Sequence, residues 1–105
     1  MTDTATIKGK TLSELCDFCH GIAREKGFWD EERNVGEALM LVVTELAEAM
    51  EGYRHQDQDN FREEIADAFI RLFDLCGGLE IDIEGEISRK CEINKKRPYK
   101  HGKIC

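Results

Sequence analysis

The chain has 105 residues, 41% of them apolar and 35% charged, with one Pro, five Cys and a net charge of −7. A length of this order holds one domain, residues 1–105, whose own core is modest, so assembly with further copies is expected to help it. An acidic balance disfavours a nucleic-acid polymer as partner, and no run approaches the roughly 18 apolar residues of a membrane span.

Residues 1–10 show neither a structural period nor the apolar centre of a secretory signal, so a loose arm on a cytoplasmic protein is expected. Thr11 and Glu14 have the spacing of a capping box, and Leu12, Leu15, Phe18, Cys19, Ile22 and Ala23 supply a helical stripe that Gly27 should end. Phe28 and Trp29 lie in the connection to a second helix at residues 35–53. A polar loop over 54–59 follows, and Asn60 with Glu63 is expected to cap a third helix that runs to Leu75 or Cys76 and stops at Gly77-Gly78. Asp82 should cap a fourth helix over 83–96, which Pro98 prevents from continuing. With scattered β-branched residues and short loops, the expected fold is all-α: a compact four-helix bundle, completed by oligomerisation.

The second and third helices carry more acid than an amphipathic pattern requires. Glu37, Thr44, Glu45, Glu48 and Glu51 share one arc of the second, and Glu64, Asp67, Arg71 and Asp74 repeat at spacings of 3, 4 and 3 on the third. Both are otherwise mostly apolar, which predicts burial on more than one side. No Lys or Arg occurs over residues 35–53, so Glu45 and Glu48, one turn apart, repel without a counter-charge on their own helix. An antiparallel hairpin would join them to Glu64 and Asp67. Four carboxylates without a His suit a hard cation, Mg²⁺ or Mn²⁺, rather than a di-iron pair.

Charge is unevenly spread. Residues 1–88 hold 8 basic against 21 acidic side chains, whereas residues 89–105 hold 7 basic against 1 acidic. A basic tail over 97–105 beside an acidic metal cluster suits a small polyphosphate, which needs cations on both sides; the simpler reading of the tail is a solvated terminus. Cys16-Asp17-Phe18-Cys19-His20 matches a haem-attachment pattern, and Cys16 and Cys19 with Cys91, His101 and Cys105 could form a zinc set. Both readings are outweighed by a simpler one on an amphipathic helix with reduced thiols: Cys19 is a core residue and Cys16 a bystander. His20 and Trp29, taken alone, read as packing.

Glu45-x-x-Glu48 followed after 15 residues by Glu64-x-x-Asp67 resembles the signature of the MazG-like all-α nucleoside triphosphate pyrophosphohydrolases. The likeness covers most of the chain: Lys26-Gly27-Phe28-Trp29, the segment Thr44 to Glu51, Glu63 to Ala68, and the tail Lys90-x-x-x-Asn94-x-x-Arg97-Pro98-Tyr99-Lys100-His101-Gly102. The resemblance implies that Glu45, Glu48, Glu64 and Asp67 bind Mg²⁺ and that a nucleoside triphosphate is split between its α and β phosphates into the monophosphate and pyrophosphate. It places Lys90 and Asn94 on the phosphates, with Arg97 and Tyr99 as additions, and His20 and Trp29 at the base pocket of the dCTP pyrophosphatase branch, a pocket also compatible with dATP or a modified base. Many members carry a further Glu where this chain has Thr44, so the general base is sought between Glu48 and Glu45, with Glu48 preferred. Arg71 either stabilises the departing pyrophosphate or neutralises Asp67 or Asp74. A homodimer or homotetramer is expected, clearing or adjusting nucleotide pools. The competing readings are a helical module that senses nucleotide or metal without hydrolysis, and a structural bundle with no ligand.

Overall fold

The computed structural model describes residues 6–104, and every regular element among them is helical. Helix α1 spans Leu12–Glu25, α2 Val35–Arg54, α3 Gln58–Gly78 and α4 Ile83–Lys95; a short 3₁₀ turn, Tyr99–Gly102, follows Pro98. The expected capping box forms at α1: the Thr11 hydroxyl accepts from Glu14 N at 3.1 Å and the Glu14 carboxylate from Thr11 N at 2.8 Å. These bonds hold the Glu14 carboxyl below its ordinary value. Gly27, at φ +90°, follows the Lys26 cap and turns the chain away. Asn34 caps α2 and Asp82 caps α4 through their side-chain oxygens. Cys19 is buried on α1 as a core residue, and Cys16, expected to be a bystander, is buried as well, because both face α3.

Helix α3 departs from the expectation at both ends. Asp57, not Asn60, caps it by accepting from Asn60 N at 3.1 Å, so the helix begins two residues before Asn60. At the other end Gly77 and Gly78 lie inside the helix. Their role is close approach: a Cβ on Gly77 would lie 2.6 Å from the Cys16 carbonyl oxygen, and one on Gly78 would collide with the Trp29 indole. Two residues that read as a stop signal are the contact that seats α1 and Trp29 on α3.

Helix α3 is central, with α2 and α1 both packed on it. The α2 stripe that is buried is Ala38, Val42, Glu45, Ala49 and Gly52, at spacings of 4, 3, 4 and 3, mostly small residues that let two helices run close. Burial on more than one side, expected from composition, does not occur within a single chain. Leu39, Met40, Val43, Leu46, Met50 and Tyr53 are 45–61% exposed, because the tight α2–α3 contact uses the small residues and turns the large ones outward. Nor is the bundle compact. Helix α4 buries no residue and packs chiefly on α1, where Glu84 accepts from Leu12 N at 3.1 Å. The Cα radius of gyration is 16.3 Å, against about 13 Å for a compact chain of this length. The surface is 8505 Å², against about 6,000 Å² for a compact monomer of this mass. No helix among the described residues is long and apolar enough to cross a membrane.

Candidate metal centre and adjoining cavity

The hairpin of α2 and α3 brings three of the four expected ligands together. One carboxylate oxygen from each of Glu45, Glu48 and Glu64 lies within 4.8 Å of the others, and no other group of three or more potential ligands of this kind occurs among the described residues. Glu45 is buried, Glu64 half-buried and Glu48 exposed, so the group opens outward at Glu48. Asp67, one turn beyond Glu64, is exposed and stands outside this close group, though it lines the same cavity as Glu45.

Three carboxylates this close cannot all be ionised without a cation, and two neutralising devices are present. Arg71 Nε donates to Glu45 Oε1 at 3.1 Å across the helix pair. Its partner is thus Glu45, neither Asp67 nor Asp74 on its own helix, and this supplies the counter-charge that α2 lacks. The second device is a proton. As carboxylates the three have no hydrogen to share, and Glu64 Oε2 is buried without a donor; protonated, Glu64 donates toward Glu45 and Glu48. Those hydrogen bonds, Glu45 foremost, with burial and the charges of both neighbours, push the Glu64 carboxyl up to about 8. A hard divalent cation fits the set on donor chemistry alone, because it would replace the shared proton and give Glu64 Oε2 a partner.

Beside this cluster lies a cavity of about 770 Å³. Its walls are mainly apolar, among them Phe18, Ile22, Phe28, Phe69, Ile70 and Phe73, and its polar lining is Lys26, Arg33, Glu45, Asp67, Arg71 and Asp74. His20 and Trp29 stand behind this lining, not in it. Their rings meet edge to face with centroids 4.8 Å apart, and both donate to one oxygen of Asp74: Trp29 Nε1 at 2.8 Å and His20 Nδ1 at 3.1 Å from Oδ1. Asp74 was visible as a seam residue but not as their partner, since 54 and 45 residues separate it from His20 and Trp29. Arg33 is the other contributor the sequence did not single out. It lies 5.6 and 5.5 Å from the Phe28 and Trp29 rings and donates to the Phe28 carbonyl at 3.2 Å.

None of Lys90, Asn94, Arg97 and Tyr99 lines the cavity. Lys90 is exposed, Tyr99 is 90% exposed, and Arg97 pairs with His101 at 3.3 Å. Asn94 Oδ1 is buried without a hydrogen-bond partner among the described residues. The zinc set does not assemble among the described residues: Cys91 is exposed on α4, and Cys105 lies outside them. Burial pushes the Cys16, Cys19 and Cys76 thiols above their ordinary value, which favours the protonated thiol. Comparisons of the chain with models of known families, with curated proteins and with solved structures found no match.

Proposed function

We propose that the chain is a Mg²⁺-dependent nucleoside triphosphate pyrophosphohydrolase of the MazG-like kind, converting a (d)NTP to its monophosphate and pyrophosphate. The observation that carries this reading is the approach of Glu45, Glu48 and Glu64 to within 4.8 Å at an aromatic-walled cavity that Asp67 also lines. Glu45, Glu48, Glu64 and Asp67 would hold Mg²⁺, with Mn²⁺ able to replace it. When bound, the cation supplies charge neutralisation for the phosphates and a water of lowered pKa. The residues do the rest. Glu45 is committed to Arg71, so Glu48, exposed at the open side, is the carboxylate free to take the proton of the attacking water. Arg71 bonds Glu45 and lines the cavity, so its guanidinium would share charge with the phosphates as they separate.

The same proposal includes a second copy of the chain. The surface exceeds that of a compact monomer by about 2,500 Å², the scale that one partner contributes to an obligate dimer, and the open row from Leu39 to Tyr53 is the apolar surface such an interface needs. Under the same proposal Lys90, Asn94, Arg97 and Tyr99, none of which lines the cavity of its own protomer, would serve the carboxylates of the partner. Equilibrium sedimentation should show a dimer or tetramer. Mixed oligomers of Glu48→Gln and Arg97→Ala protomers should regain activity that neither variant has alone; a fully active monomer opposes both parts.

The test of the reaction is a panel of ribo- and deoxynucleoside triphosphates incubated with protein and Mg²⁺, with products separated by chromatography. Monophosphate with pyrophosphate is expected from a subset. Diphosphate with phosphate, or no product, overturns the reading. The self-neutralised state made by Arg71 and the Glu64 proton favours one alternative, a module that binds Mg-nucleotide without turning it over; tight binding with no product identifies it.

A further inference from the structure

Ahead of α1 the chain folds back on itself. Lys10 N–H donates to the Ile7 carbonyl at 3.0 Å, which closes a tight turn over residues 7–10, and Lys8 N–H donates to the Thr6 hydroxyl at 3.4 Å. Gly9 stands at φ +83°, the left-handed conformation that such a turn can ask of its third residue, and a side chain there would be strained. The root of the turn is held at two points. The capping box fixes Thr11 at the start of α1, and Lys10 Nζ lies 5.1 Å from the centre of the Phe18 ring, itself a wall of the cavity. Ile7 is thereby brought to the same wall.

Among the described residues Ile7 is the sole lining residue that precedes α1, and it is 53% exposed. The cavity is open around it, since Phe28, Phe69 and Ile70 also line it and are 57%, 56% and 49% exposed. A ligand lying against those walls would still leave its outer face in water. The turn is the element placed to cover that face: it is short, joined to the fold at one end, and has no atom within 4 Å of a Cβ built on Gly9. A segment with so few contacts moves at little cost.

We propose that residues 6–10 are a strap that closes over the ligand in the cavity, with Ile7 as the contact it makes. This inference rests on the reading of the cavity as a nucleotide site and adds an element that retains whatever nucleotide binds there. Thr11 is the fixed end and Gly9 the hinge. Closure buries the exposed part of Ile7 against the ligand, which shields the ligand from water and slows its release.

Trypsin tests it, because cleavage after Lys8 requires the segment to be drawn out from the protein. With Mg²⁺ and a saturating α,β-methylene analogue of the best substrate, cleavage of the wild-type chain after Lys8 should slow by about tenfold or more. Ile7→Ser should be cut at the wild-type rate without ligand and lose this protection when saturated with it, and its KM should rise by about tenfold with a smaller change in kcat. Gly9→Val strains the turn without touching the cavity and should lose the protection as well. Equal protection of the wild type and Ile7→Ser would mean that the ligand only stabilises the fold, and that result overturns the strap, as does a wild-type chain cut equally fast with and without ligand. If no triphosphate is hydrolysed, the proposed reaction fails and the intact triphosphates become the probes. Protection of Lys8 by any of them that Ile7→Ser abolishes supports the strap, and protection by none overturns it.

Discussion

Two buried carboxylates line the cavity, Asp74 and Glu45, and the protein treats their surroundings in opposite ways. Asp74 is fixed by two ring donors that belong to the fold, so one of its oxygens is satisfied with no ligand at all. Glu45, Glu48 and Glu64 have one Arg and one shared proton among three acids, and Glu64 Oε2 has no donor when the group is ionised. The first arrangement orients a group; the second leaves a charge deficit that a cation can fill. A buried acid whose partners are all internal serves position, and one whose partners are incomplete is where chemistry can be introduced.

The largest effect should come from the incomplete group. Glu48→Gln removes the free carboxylate while leaving the Arg71–Glu45 bond, and is expected to lower turnover by about 10²–10⁴-fold with an unchanged helical circular dichroism spectrum. Asp67→Asn should also lose activity with the fold kept. Pyrophosphate release at the wild-type rate in either variant would remove the metal assignment.

Metal alone should then distinguish the two places. At a hundredfold excess over its Kd, Mg²⁺ is expected to stabilise the protein by about 2.7 kcal/mol, read as a rise in Tm that Glu64→Gln diminishes and Asp74→Asn does not. Without metal, the pH dependence has a definite sign. The Glu64 carboxyl is raised from 4.5 to about 8 in the fold, so its protonated form favours folding. That contribution is complete below about pH 4.5 and is lost as the pH rises through about 8. Urea midpoints in EDTA should carry a falling contribution across that window and Mg²⁺ should reverse it; a midpoint equally indifferent to pH and to Mg²⁺ opposes the shared proton.

The completed arrangement around Asp74 should answer to packing instead. Gly78→Ala forces a methyl group into the Trp29 indole and is expected to cost about 1–3 kcal/mol, measured by urea unfolding, with the Mg²⁺-induced shift retained. Thr11→Ala, remote from both places, removes only the α1 cap and should cost about 1 kcal/mol.

Local signals in the sequence determined much of this protein. Thr11 and Glu14, Asp82, Gly27 and Pro98 place helix ends through interactions that span a few residues, and the i,i+3 acidic pairs put Glu45 with Glu48 and Glu64 with Asp67 one turn apart. Those relations depend on helix geometry alone, so they are legible before any tertiary contact forms. Where a local signal competed with a contact between helices, the contact prevailed. Gly77-Gly78 reads as a stop and is a docking surface, because Cys16 and Trp29 arrive from elsewhere in the chain. Apolar α2 reads as buried all round, yet small residues at its contact with α3 leave the large ones outside. Arg71 reads as a partner for the acids on its own helix and meets Glu45, 26 positions away. Asp74 between His20 and Trp29 had no sequence signal at all, because three residues separated by 9 and 45 positions become neighbours only when α1 packs on α3. Which carboxylates are completed and which are left in deficit is a property of that packing.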